Sequence, residues 1–171
     1  MSEDIINKVA QSGLLEFNLE DYYASGERVL LDIKDQLFQG LILKEKDFRE
    51  FVKQEDWNKY TGKLVAITCS ADAIVPTWAY MLLSSSLAPF SKKCVFGNLE
   101  LLETVLYSET LASLPLEPFR DARVVIKGCS NLPVPVSAYV EITRLLRPVA
   151  KSIMYGEPCS TVPIFKKAKE L

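Results

Sequence analysis

The chain has 171 residues, 49% of them hydrophobic and 25% charged, with a formal net charge of −2. That length suits one soluble domain with a substantial core, and the charge balance leaves no electrostatic case for nucleic acid or an anionic membrane. Histidine is absent, which excludes Ser-His-Asp and Cys-His nucleophile systems and every metal site that needs imidazole.

The acidic start, Met1-Ser2-Glu3-Asp4, lacks the pattern of a secretory signal. Ser2 suits the N-cap of a helix carrying Ile5, Ile6, Val9 and Ala10 and closed by Gly13. Leu15, Phe17 and Leu19 alternate with polar residues, which predicts a half-exposed strand. After a turn at Gly26, Val29 to Ile33 and Leu37 to Leu43 read as a strand pair. Asp47 can then cap a helix containing Phe48, Phe51 and Val52, and Gly62 ends this opening section.

From Lys63 the texture changes. Leu64 to Thr68 is an apolar run suited to a strand buried on both faces. The loop Cys69 to Val75 leads to a helix with Pro76 at its first position and Trp78, Met81, Leu82, Leu83 and Leu87 along it. Pro76, serines and Pro89 interrupt the apolar stretch from Ala73 to Phe90, so it reads as a buried helix, not a membrane span. Lys93 to Phe96 is the next strand and Leu99 to Ala112 an amphipathic helix. Val124 to Lys127, Pro135 to Leu146 and Ser152 to Tyr155 then read as strand, helix and strand.

These later segments repeat one another. Cys69-Ser70, Val75-Pro76, Ala79-Tyr80, Leu87-x-Pro89, Lys92 and Gly97 recur as Cys129-Ser130, Val134-Pro135, Ala138-Tyr139, Leu146-x-Pro148, Lys151 and Gly156. The offset is 60 at the cysteines and 59 from the prolines onward. The expected fold is α/β, a parallel-sheet core built from two related β-α-β units with an N-terminal α+β elaboration. One domain spans 1–171: the elaboration over 1–62, the repeats over 63–97 and 122–156, and a C-terminal loop and tail over 157–171.

Winding outward from the centre gives the sheet order second, first, third, fourth. The strands ending at Cys69 and Cys129 are then central neighbours flanking a topological switch point, where open α/β sheets bind ligands. Cys159-Ser160 follows the fourth strand and can fold over the same opening. Cys69, Cys129 and Cys159, with Asp72 or Glu157 as a fourth donor, form a candidate metal site for zinc or an iron–sulfur cluster. Ser70, Ser130, Ser160 and Thr161 add hydroxyls for a bound cofactor or anion beside the helix starts. Each residue has a plainer role open to it. The cysteines can pack a crowded strand end, Asp72 can cap the helix entered at Pro76, Glu157 can be solvated, and Trp78, Tyr80 and Tyr139 can be core. Cys94, without the Cys-Ser context, is expected in the core.

The segments Asp47-Phe48-Arg49-Glu50, Cys69 to Tyr80 (CSADAIVPTWAY), Lys127-Gly128-Cys129-Ser130 and Gly156 to Pro163 (GEPCSTVP) resemble an uncharacterised bacterial domain-of-unknown-function family. The resemblance implies a small, cytoplasmic bacterial protein and brings no activity or catalytic residue with it. Four cysteines without an export signal also fit a reducing cytosol. Three functions follow as expectations: a thiolate metal site supporting a small-molecule reaction, a noncatalytic small-ligand or anion-binding module, and a self-association protein. A homodimer is expected, with neither nucleic acid nor membrane as partner.

Overall fold

The computed structural model describes residues 13–128, 131–157 and 159–168. The helix expected from Ser2 lies outside them. In chain order the elements are β1 (Leu14–Phe17), β2 (Arg28–Asp32), α1 (Glu45–Gln54), β3 (Leu64–Thr68), α2 (Thr77–Leu87), β4 (Lys93–Phe96), α3 (Leu99–Ala112), β5 (Arg123–Ile126), α4 (Val136–Leu146), β6 (Ser152–Glu157) and β7 (Ser160–Lys166). Among the described residues no helix is long and apolar enough to cross a membrane.

The fold is α/β with parallel strands at its core, distributed over two compact units. Ser25–Val105 forms an inserted unit, and the residues up to Ala24 and from Leu106 onward form a split unit. The inserted unit carries the parallel sheet β2-β3-β4, and the split unit carries β1-β5-β6-β7, in which β7 alone runs antiparallel to its neighbour. This corrects the expected single sheet: the strands that precede Cys69 and Cys129 belong to different sheets. Each sheet takes one further strand, β1 or β2, from the section before Lys63. Strand order follows chain order among the parallel strands of both sheets, so neither contains the reversal that opens a switch-point crevice.

The two β-α-β units nonetheless share backbone hydrogen bonds at matching positions. The Lys92 amide donates to the Lys63 carbonyl at 2.8 Å, and 59 residues on Lys151 donates to Ala122 at 2.8 Å. Gly62 donates to Phe90 as Asp121 does to Val149, both at 2.9 Å. Gly62 and Asp121 are both left-handed, at φ 72° and 54°. Ala79, Leu83 and Leu87 of α2 are buried, as are Ala138, Ile142 and Leu146 of α4. The spacing of four keeps each set on one helical face, packed against β3 or β5. Pro76 and Pro135 cap these helices from outside with extended backbone and are not their first residues. A proline has no amide to leave unpaired there.

Two local expectations also change. Leu37 to Leu43 is no strand. Phe38 and Ile42 bridge a tight reversal whose Gln39 and Gly40 have φ of 54° and 71°. Lys44, not Asp47, is the cap residue of α1, and Asp47 lies in the first turn. The C-terminal segment expected as loop and tail is instead β7, paired with β6 from Glu157–Ser160 to Ser152–Lys166. Pro163 fits there because an edge strand leaves some amides without a ladder partner. A bulge opposite Ile153/Met154 puts Ile164 beside Phe165 without a partner of its own.

Candidate functional site

The carboxyl ends of the strands are where the sequence places its candidates. In the inserted unit the loop after β3 is tied down by the last residue of β2. Asp32 Oδ1 accepts from the amides of Lys34 at 3.0 Å and Ser70 at 3.1 Å, and Oδ2 accepts from Ser70 Oγ at 2.5 Å. Partial burial works to raise the Asp32 pKa. The hydrogen bonds from Ser70 and Lys34, with the Lys34 charge, outweigh it and hold the carboxyl below its ordinary range. Cys69 is half-buried against the core, its Sγ 3.9 Å from the Ala71 carbonyl oxygen. Tyr80 stands at the same strand end. Burial raises its phenol pKa, and Cys69 and Asp32 add to the shift.

The split unit clamps its equivalent loop with a different carboxylate. Glu20, in the short 3-10 turn Leu19–Tyr22 after β1, accepts from the amides of Asn131 and Leu132. The position of Asp32 is taken by Asn18, whose Oδ1 accepts from the Glu20 amide at 3.1 Å. Loop amides that a bound anion would use therefore already face the chain's own carboxylates. The Ser70 hydroxyl donates to a carboxylate held below its ordinary range, a weaker base than one poised near neutral pH.

Cys69 belongs to the inserted unit, while Cys159 is exposed in the turn between β6 and β7 of the split unit. Cys129 and Ser130 lie outside the described residues. Asp72 is exposed in the loop, and α2 has no side-chain cap bond, so Asp72 does not cap it. Glu157 and Ser160 pair across the β6–β7 hairpin, and Thr161 Oγ1 lies 3.8 Å from Met154 Sδ. Among the described residues no group of three or more Cys, Asp or Glu is placed to hold a metal. Cys94 packs against the core of the inserted unit as expected, and burial raises its thiol pKa, opposed by a hydrogen bond with Ser84.

What the sequence reading missed is a groove of about 310 Å³ in the split unit. Ile126 lies at its base, Tyr139, Val140 and Thr143 of α4 form one wall, and Tyr155 and Ile164 the other. The rings of Tyr139 and Tyr155 meet edge to face at 5.9 Å, and Tyr155 Oη donates to the Gly128 carbonyl at 3.3 Å. A Cβ on Gly128 would stand 2.9 Å from that ring, so glycine admits the tyrosine. Val140 is 65% exposed and Ile164 51%. The inserted unit has the corresponding aromatic pair, Tyr80 and Phe96 at 4.8 Å, but among the described residues no strand equivalent to β7 closes a second wall. The signal lay in the β-branched and aromatic residues Val162, Ile164 and Phe165 beyond the repeat.

The chain belongs to the protein family of unknown function DUF2480, whose model matches residues 3–167. Comparison with curated proteins found no match, and comparison with solved structures found none either.

Proposed function

We propose that this chain is a noncatalytic binding module that takes a small apolar ligand between α4 and the β6–β7 hairpin. The observation that carries this reading is the groove itself: apolar, walled on two sides, and of a volume at the lower end of small-ligand pockets. The strand-end hydroxyl and loop amides are bound to Asp32 and Glu20, which favours binding over chemistry. Neutral Nile red, mixed with the purified protein, tests it. Fluorescence enhancement that saturates with wild type and weakens at least tenfold in Val140→Asp and Ile164→Asp variants is expected. No enhancement by the folded wild type, or enhancement untouched by both substitutions, would sink the reading.

Self-association is the second reading, favoured by one feature. β7 is an edge strand seven residues long, with Val162 58% and Ile164 51% exposed, and such edges pair readily with another chain. Light scattering across a wide concentration range separates the two. A dimer mass that Ile164→Asp converts to monomer assigns the groove to a second copy, whereas a constant monomer mass removes the homodimer.

A further inference from the structure

A second hollow in the split unit, of about 380 Å³, has the opposite chemistry. Asp121, Arg123, Lys151, Ser152, Lys166 and Lys167 line it. Four cationic side chains thus face one carboxylate, in a chain whose net charge is −2. The register shows how they are assembled. Arg123 pairs with Ser152 across β5 and β6, and Ser152 pairs with Lys166 across β6 and β7. The three residues form one row across the sheet, a hydroxyl flanked by two cations, each about 4.8 Å away along the sheet.

The Lys167 amide, donating to the Lys151 carbonyl at 2.9 Å, brings the chain after β7 alongside Lys151. Asp121 Oδ1 lies 3.7 Å from Lys167 Nζ. Among the described residues, Lys151 and Lys166 have no ion pair and Ser152 no side-chain hydrogen bond. Lys151 and Lys166, lining one hollow without an ion pair among the described residues, repel one another, and a bound oxyanion relieves that repulsion. The row depends on β7, and among the described residues the inserted unit has no counterpart.

From this row we infer that the amino-end hollow of the split unit binds a small multiply charged oxyanion of the phosphate class. The anion sits over Ser152 between Arg123 and Lys166, with Lys151 and Lys167 at its rim. Lys and Arg donors together with a hydroxyl suit tetrahedral oxygen geometry, and the volume falls within the small-molecule range. The site is on a different set of residues from the apolar groove, so the two readings stand or fall separately.

Calorimetric titration with inorganic pyrophosphate at low ionic strength tests the inference. Wild type is expected to bind with a Kd below about 1 mM, corresponding to about −4 kcal/mol. Lys151→Glu/Lys166→Glu is expected to weaken binding at least tenfold, and Ser152→Ala to weaken it by less. Circular dichroism confirms that the variants fold. The Nile red response of the double variant is expected to stay at the wild-type level. A second arm uses vesicles containing phosphatidic acid. Pyrophosphate binding that vesicles do not outcompete identifies a free phosphate ligand, and competition by vesicles identifies a headgroup as the source of the same phosphate chemistry. No pyrophosphate binding, or binding unchanged in the double variant, overturns the site.

Discussion

Asp32 and Glu20 solve the same local problem in different ways. A loop leaving a parallel strand exposes amides, and a carboxylate from the neighbouring strand or the turn after it satisfies them. Ser70→Ala removes one of the three bonds to Asp32. The site is partly exposed, so the cost is discounted to about 1 kcal/mol in urea unfolding at neutral pH. The sign with pH follows from the lowered Asp32 pKa. The ionised carboxylate's contribution is complete above its unfolded pKa and disappears as pH falls through the lower folded value. The stability difference between wild type and Asp32→Ala should therefore shrink as pH drops from about 5 toward 2. The thiols differ as well. Cys159 is exposed, whereas Cys69 and Cys94 are partly buried against the inserted unit's core. In a Cys129→Ser background an aromatic disulfide reagent should label Cys159 first, with Cys94 slowest because its thiolate is disfavoured. Equal labelling rates in the native protein would contradict this order.

At the scale of elements, glycine ends both β-α-β units, but under different constraints. A Cβ on Gly97 would meet the Leu101 Cδ2 atom at 2.6 Å, a side chain that can swing away. A Cβ on Gly156 would meet the Ser160 carbonyl oxygen at 2.5 Å, backbone fixed by the β6–β7 hairpin. Both glycines have positive φ, 135° and 124°. Gly97→Ala should therefore cost about 1–2 kcal/mol and Gly156→Ala about 1 kcal/mol more, read from denaturation midpoints. These positions were legible because they recur with Pro76 and Pro135, and so were the helix faces built on Ala79 and Ala138. The partition into two sheets was not legible. Leu14–Phe17 and Arg28–Asp32 are both short strands rich in apolar residues, and which strand each pairs with is decided by packing far along the chain. The loop clamps were hidden for the same reason, Asp32 reaching 38 residues to Ser70 and Glu20 reaching 111 to Asn131. β7 escaped notice because it has no counterpart in the first repeat, and both hollows depend on it.

Across the whole molecule, the inserted unit is built from one continuous run of chain, whereas β1 must find β5 across it. Arg28 and Glu103 close that run. Nε lies 2.5 Å from Oε1 and Nη2 3.1 Å from Oε2, with the Arg28 and Glu103 side chains 13% and 8% exposed. Removing one member of such a buried pair leaves the other charge poorly compensated, and Glu103→Ala should cost about 3 kcal/mol in chemical denaturation. Contacts close in sequence form sooner than distant ones. Pulsed hydrogen exchange during refolding should therefore protect β2 before β1, and simultaneous protection would count against this order. The insertion also governs how the protein carries mechanical load. A pull on the two ends of the chain enters through β1 and leaves through β7, both strands of the split unit. The inserted unit is reached from both sides through that unit and bears no tension until β1 tears away from β5. An optical-trap record should then show two ruptures in fixed order, the split unit yielding first and shielding the inserted one.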